Sequence, residues 1–141
     1  MTIVLDDHLL RDWMTSRDVP LGKAIAGEEV ASTNLWYVRL CKSAARATGV
    51  DTRRLNSTER RALVAGLIAL PGDIVVVPMR DLAWRMGELA ADHTGLSALG
   101  AEAVAAAIHL EARILVSATD NGPGIRGCRA RVGIAHDALP R

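Results

Sequence analysis

Three short apolar runs stand out along the chain, each bounded by charged or turn-forming residues: Thr2–Leu5, Asp73–Val77 and Arg113–Ser117. Continuous runs of this length, rich in Val and Ile, predict strands that are buried on both faces. Glu29–Ser32 and Ala130–Ile134 are weaker candidates with Gly or polar neighbours, and they predict two edge or terminal strands. The pattern therefore predicts about five strands.

Apolar residues at helical spacing fill the stretches between these strands. The clearest helix is Asn56–Leu70, in which Asn56 is placed to cap the first turn, Glu59 stands at the third position and Pro71-Gly72 ends the helix. The same spacing predicts further helices at Asn34–Ala47, Leu82–His93, Ala101–Glu111 and, broken near Pro20, within residues 8–26. Strands that alternate with such helices indicate an α/β fold, a three-layer α/β/α sandwich around a mostly parallel sheet.

Length and composition limit the class of protein. The chain has 141 residues, which fits one domain spanning positions 1–141. Half of the residues are apolar and 23% are charged, as in ordinary globular proteins. The formal net charge of +1 gives no overall field that attracts nucleic acid, so any contact with RNA has to come from local patches.

The N-terminus and the lengths of the apolar runs indicate whether the protein is exported or inserted in a membrane. The chain opens on an apolar strand with an acidic pair behind it, and it lacks the basic segment and cleavage site of a signal peptide. No apolar run approaches the roughly 18 residues that span a bilayer. Cys41 and Cys128 have no further pair with which to form a zinc site and are predicted to be reduced thiols. These observations predict a cytoplasmic protein with no membrane partner.

Acidic residues follow two of the predicted strands. Asp6 and Asp7 come directly after the first, and Asp120 comes three residues after Ser117. Ligands of parallel sheets bind outside the carboxyl ends of the strands, where two carboxylates repel each other and are relieved by Mg²⁺ or Mn²⁺. Metal-assisted phosphodiester hydrolysis is the chemistry that suits such a site. Asp after a strand is also a common helix N-cap, which leaves a purely structural role open for Asp6 or Asp7.

Several segments resemble a known family. Ile3 to Leu10 is similar to the start of a PIN domain, in which an apolar strand delivers an Asp followed by small polar residues and an apolar pair. Gly95-Leu96-Ser97, the Ala-rich helix through Ile108, and the strand that leads from Arg113 to Asp120 resemble the second half of that domain. The chain thus resembles PIN-domain toxins of the VapC type over nearly its whole length.

The resemblance implies a function and a set of site residues. It implies a Mg²⁺- or Mn²⁺-dependent endoribonuclease of a toxin–antitoxin pair, with Asp6, Glu102 and Asp120 as metal ligands and catalytic acids. It also implies RNA as substrate, a homodimer, and a small antitoxin protein as partner. Arg126 and Arg129 belong to a locally basic stretch and are candidate ligands of the RNA backbone.

One departure from the family pattern favours a second hypothesis. Where the family places a Glu, in the helix after the second strand, this chain has Trp36 or Tyr37. The loss of a carboxylate lowers the negative charge that holds a metal. The alternative is therefore a catalytically inactive PIN-like module that binds RNA or protein.

A glycine-rich segment, Gly122 to Gly127, formally matches the GxGxxG fingerprint of dinucleotide-binding folds. That fingerprint requires a following helix, a second strand and an acid about 20 residues further on, and the chain after Gly127 is too short for them. The segment is instead predicted to be a loop that borders Asp120.

Overall fold

The computed structural model describes residues 1–15, 19–46, 54–120 and 122–139. Five strands lie in these ranges: β1 (Thr2–Leu5), β2 (Glu29–Ser32), β3 (Ile74–Val76), β4 (Arg113–Ser117) and β5 (His136–Leu139). The helices of these ranges are α1 (Asp7–Thr15), α2 (Val19–Ala24), α3 (Asn34–Arg46), α4 (Ser57–Ile68), α5 (Met79–Asp92), α6 (Ala98–Leu110) and α7 (Pro123–Val132). A short 3₁₀ turn, Ala118–Asp120, follows β4.

The strands form one sheet in the order β3-β2-β1-β4-β5, and every neighbouring pair is parallel. The central strand β1 pairs with β2 on one side and with β4 on the other, where Leu5 lies opposite Leu115. The carboxyl ends of β2, β1 and β4 consequently meet at one edge of the sheet. The predicted α/β class is confirmed, and the sheet is parallel throughout.

Alternate residues of the central strands enter two different cores. Val4 packs in a cluster with residues of α5, α6 and α7, whereas Ile3 and Leu5 pack with residues of α1, α2, α3 and α4. Strand β4 divides in the same way, because Val116 joins the first cluster and Leu115 the second. Helices thus cover both faces of the sheet, as the continuous apolar strands predicted.

The C-terminal elements differ from the prediction. The strand predicted at Ala130–Ile134 is wrong, because α7 runs to Val132 and the last strand is β5. The loop predicted for the glycine-rich segment is also wrong. Gly122 is the N-cap of α7, Pro123 is its first residue, and Gly133 ends it in the left-handed conformation with φ of 74°.

Other helix boundaries follow local capping. Asn56 and Glu59 form the predicted capping box of α4. Helix α6 begins three residues before the predicted Ala101, because the Ser97 side chain caps it by accepting a hydrogen bond from the Gly100 N–H at 3.1 Å. The predicted end of the third helix at Ala47 lies outside the described residues. Among the helices of the described ranges, none has the length and apolar character needed to cross a bilayer.

Candidate functional site

Three metal-capable side chains meet at the carboxyl edge of the sheet. Asp7 and His8 open helix α1, and Asp120 lies in the turn after β4. One ligand atom from each of the three lies within 4.8 Å of the other two. We call these three residues the acidic cluster. Only Asp120 among them belongs to the predicted ligand set.

The guanidinium of Arg39, on helix α3, occupies the acidic cluster. Its Nε donates to Asp7 Oδ2 at 2.6 Å and its Nη2 donates to Asp7 Oδ1 at 2.5 Å, so the pair is bidentate. The same Nη2 also donates to Oδ2 of Asp120. Asp7 is fully buried, and the Arg39 side chain is 32% exposed. The hydrogen bond to Asp7 is the main reason why the pKa of Arg39 lies above its ordinary value.

Asp6, the first predicted ligand, makes its hydrogen bonds to groups other than Arg39. Its Oδ1 accepts a hydrogen bond from the Leu9 N–H at 2.9 Å, which caps helix α1. Its Oδ2 accepts from the Ser117 N–H at 2.7 Å and from the Ser117 hydroxyl at 2.6 Å. Asp6 therefore has the structural role left open from the sequence, and it also ties β1 to the end of β4.

Glu102, the predicted ligand on α6, caps another helix. Its Oε2 accepts from both the backbone N–H and the side-chain amide of Asn34, each at 2.7 Å, and its Oε1 accepts from the Leu35 N–H at 2.8 Å. The residue is fully buried, and its negative charge lies at the positive end of α3. Glu102 therefore holds the start of the helix that carries Arg39.

The two predicted RNA ligands lie on α7. Arg126 is exposed, and Arg129 is half-buried with an Nε that has no hydrogen-bond partner among the described residues. The N-terminus of α7, Asp120 and Trp36 line a cleft of about 180 Å³. Trp36, which with Tyr37 was expected at the position of the family's Glu, is buried in the core.

Sequence reasoning placed Asp7 at this edge of the sheet but did not select Asp7 or His8 as ligands, and it missed Arg39. The available signal for Arg39 was its position on α3, one turn after Trp36 and next to Leu40, both of which are buried. Arginine on the buried side of a helix is uncommon unless it is paired, so its presence there indicates an acidic partner.

The arrangement of the carboxylate oxygens does not fit the divalent metal implied by the resemblance. Arg39 binds both carboxylate oxygens of Asp7 and one of Asp120. The oxygens of Asp6 and Glu102 already accept from backbone amides and from the side chains of Ser117 and Asn34. A Mg²⁺ or Mn²⁺ ion among these ligands would also be repelled by the guanidinium. As folded, Asp7 and Asp120 hold the guanidinium of Arg39 where a metal ion was expected.

The pKa of Asp6 predicts a pH-dependent stability. Burial raises this pKa from 3.8 to about 7, against the lowering effect of the hydrogen bonds from Ser117 and Leu9, while the charge of Asp120 raises it further. Between these two values the folded protein binds more protons than the unfolded chain, so stability falls as the pH rises from about 4 to about 7. We expect the free energy of unfolding to be about 2 kcal/mol lower at pH 8 than at pH 5.5.

Denaturant unfolding at both pH values measures this difference, and Asp6→Asn provides the control because its side chain does not titrate in this range. The pH-dependent loss should be smaller in the variant than in the wild-type protein. Parallel pH profiles for the two proteins would show that Asp6 is ionised across the whole range.

Comparison with known proteins gives no family for this arrangement: no protein-family model matches the chain, and no curated protein matches it.

Proposed function

We propose that the protein is a PIN-like RNA-binding module in which Arg39, rather than a divalent metal, neutralises the acidic cluster. One observation carries the proposal, namely the bridge from the Arg39 guanidinium to Asp7 and Asp120. The parallel five-stranded sheet, with its acidic residues at the carboxyl edge, supports the resemblance to PIN domains. A cytoplasmic location is part of the same proposal.

The bridge argues against metal-assisted hydrolysis as the main activity. Such hydrolysis uses a metal ion to activate water and to stabilise charge on the phosphoryl oxygens. A guanidinium stabilises negative charge but does not generate a nucleophilic hydroxide, because its own protons do not dissociate near neutral pH. The acidic cluster with Arg39 bound therefore stabilises the carboxyl edge of the sheet.

The basic character of α7 supports RNA as the partner. The helix carries Arg126, Arg129 and Arg131 and contains no acidic residue. Arg126 and Arg131 are exposed. Clustered arginines bind phosphates without reading sequence, and this binding weakens as salt displaces it. RNA bound along α7 would reach the cleft shared with Asp120 and Trp36.

Replacing Arg126 with alanine is expected to weaken the binding of single-stranded RNA several-fold and to reduce the salt dependence by about one phosphate contact. Fluorescence anisotropy of a labelled RNA at several salt concentrations measures both quantities. The matched control is Arg61→Ala, an exposed arginine on α4 in the opposite helical layer. Equal losses of RNA affinity in the two variants would mean that the RNA does not bind along α7.

Incubation of the protein with labelled RNA in Mn²⁺ or in EDTA tests the proposed function as a whole. We expect binding in both buffers and no cleavage products. Cleavage that requires Mn²⁺ and disappears in both Asp7→Asn and Asp120→Asn would overturn the proposal.

The second candidate is a Mg²⁺- or Mn²⁺-dependent endoribonuclease of the toxin–antitoxin type, with a small antitoxin as its partner. It is favoured by the proximity of the ligand atoms of Asp7, His8 and Asp120. This activity would first require Arg39 to leave the cluster. The Mn²⁺ experiment decides between the two candidates.

A further inference from the structure

Glycines line much of the cleft at the start of α7. Gly95 and Gly100 belong to the connection between α5 and α6 and to the first turn of α6, and Gly122 and Gly124 belong to the start of α7. The backbones approach closely there, because a Cβ on Gly124 would lie 2.6 Å from the Gly95 carbonyl oxygen. With a volume of about 180 Å³, the cleft is smaller than the pockets that hold whole ligands, and it suits a single flat ring.

The cleft offers hydrogen-bond donors that lack partners among the described residues. Gly122 caps α7 without a side chain, and Pro123 has no N–H. The N–H groups of Gly124 and Ile125, in the first turn, are therefore left without a side-chain cap. Trp36 lines the same cleft and is 1% exposed, and its Nε1 has no hydrogen-bond partner in the described part of the chain. A buried donor without a partner is costly, so this indole N–H indicates a ligand that accepts from it.

Asp120 adds an acceptor to the same cleft. Its Oδ2 accepts from Arg39, and a carboxylate accepts several hydrogen bonds, so Asp120 is able to accept from a ligand as well. Asp7, Asp120 and Arg39 together carry one net negative charge. A phosphate in the cleft would be repelled by that charge, and a cation would be repelled by the guanidinium. The cleft therefore suits a neutral group that carries both donors and an acceptor.

Among the neutral groups of RNA, guanine has the edge that matches this cleft. Its Watson–Crick edge carries two adjacent donors, N1–H and N2–H₂, beside the acceptor O6. Uracil, cytosine and adenine each have one donor group on this edge, so guanine alone presents two to a carboxylate. Proteins bind the unpaired bases of single-stranded RNA by hydrogen bonds to this edge.

We propose that the cleft binds one unpaired guanine of single-stranded RNA, with N1–H and N2–H₂ donating to Asp120 and O6 accepting from the start of α7 and from Trp36 Nε1. The choice of RNA rests on the proposed function, in which the arginines of α7 bind phosphates. The guanine contact adds a sequence preference, which phosphate contacts alone do not supply.

Fluorescence anisotropy with three short labelled RNAs tests the inference: oligoadenosine, the same RNA with one central guanosine, and the same RNA with one central inosine. The guanosine RNA should bind roughly tenfold more tightly than oligoadenosine. The inosine RNA should lie between them, because its base lacks the 2-amino donor. Equal affinities for the three RNAs would overturn the inference and leave RNA binding intact. Absence of binding to all three would overturn the proposed function and the inference with it.

Gly122→Ser tests the contribution of the start of α7. The backbone of Gly122 has φ of −75°, which other residues adopt, and no neighbouring atom lies within 4 Å of a Cβ built there. The serine hydroxyl should accept from the N–H groups of the first turn and so compete with O6. We expect the melting temperature to rise slightly, because serine is a better N-cap than glycine, while the preference for guanine falls.

Trp36→Phe tests the indole donor separately. The variant keeps a buried aromatic ring and removes an N–H that has no partner among the described residues, so it should fold and bind oligoadenosine like the wild-type protein. Its preference for guanine should fall several-fold. Gly87→Ser, at an exposed glycine of α5 that also has space for a side chain, is the matched control and should keep the preference. Full guanine preference in both Gly122→Ser and Trp36→Phe would show that the base does not bind in this cleft.

Discussion

Replacing Arg39 with alanine is expected to lower the free energy of unfolding by about 3 kcal/mol, at the low end of the range for breaking a buried ion pair. The low end applies because the Arg39 side chain is 32% exposed, whereas Asp7 is fully buried. The substitution would leave the Asp7 carboxylate buried without its bidentate partner and facing Asp120. Chemical denaturation followed by circular dichroism measures the loss.

Two comparisons make the Arg39 experiment specific. Lys42→Ala, an exposed cation on the same helix, should change stability by less than about 0.5 kcal/mol. Mn²⁺ should restore part of the stability of Arg39→Ala, because it can then bind between Asp7 and Asp120, and it should leave the wild-type protein unchanged. Stabilisation of the wild-type protein by Mn²⁺, or similar losses in Arg39→Ala and Lys42→Ala, would mean that Arg39 does not take the place of a metal.

The second large effect is expected for Glu102→Ala, with a loss of about 3 kcal/mol in the free energy of unfolding from unsatisfied donors at the start of α3. Glu102 accepts three hydrogen bonds there, two from backbone N–H groups and one from the Asn34 side chain. Glu102→Gln should lose less, because one oxygen acceptor remains. Thermal and chemical unfolding both measure whether Glu102→Gln is more stable than Glu102→Ala.

The metal dependence of the Glu102 effect separates a cap from a metal ligand. Loss of a helix cap does not depend on Mg²⁺. The difference in the free energy of unfolding between the wild-type protein and Glu102→Ala should therefore be the same in Mg²⁺ and in EDTA. Glu111→Ala, which removes an exposed carboxylate just after the same helix, is the control for general charge effects. A destabilisation that appears only when Mg²⁺ is present would assign Glu102 to a metal site.

Strands that are buried on both faces were the part of the fold most accessible from sequence. The bounds of β1 and β4 agree with the apolar runs, since such strands have no polar face to interrupt them. Strand β2 has the predicted bounds, but its predicted position at an edge is wrong, because it lies between β1 and β3. The last strand was misplaced because Arg131, Val132, Gly133 and Ile134 alternate in polarity as a strand does. The capping residues Gly122 and Pro123 at one end of α7 and Gly133 at the other make it a helix instead.

The candidate site was only partly accessible because it depends on tertiary contacts. The sequence predicted acids at the carboxyl edge, but it did not show that N-capping of α1 turns Asp6 towards Ser117 and leaves Asp7 for Arg39. Arg39 lies 32 residues from Asp7 and 81 residues from Asp120 along the sequence. Glu102 caps a helix that starts 68 residues earlier. No local pattern encodes pairings of this length.

The bridge made by Arg39 also has a consequence for folding order. Its charges come from α1, α3 and the turn after β4, so they balance only once all three segments have assembled. A partly folded chain without α3 would hold Asp7 and Asp120 near each other with no cation between them, and their repulsion would oppose that intermediate. Contacts between distant segments are formed at a high entropic cost and late in folding. We therefore expect docking of α3 and closure of the sheet edge to be coupled during folding.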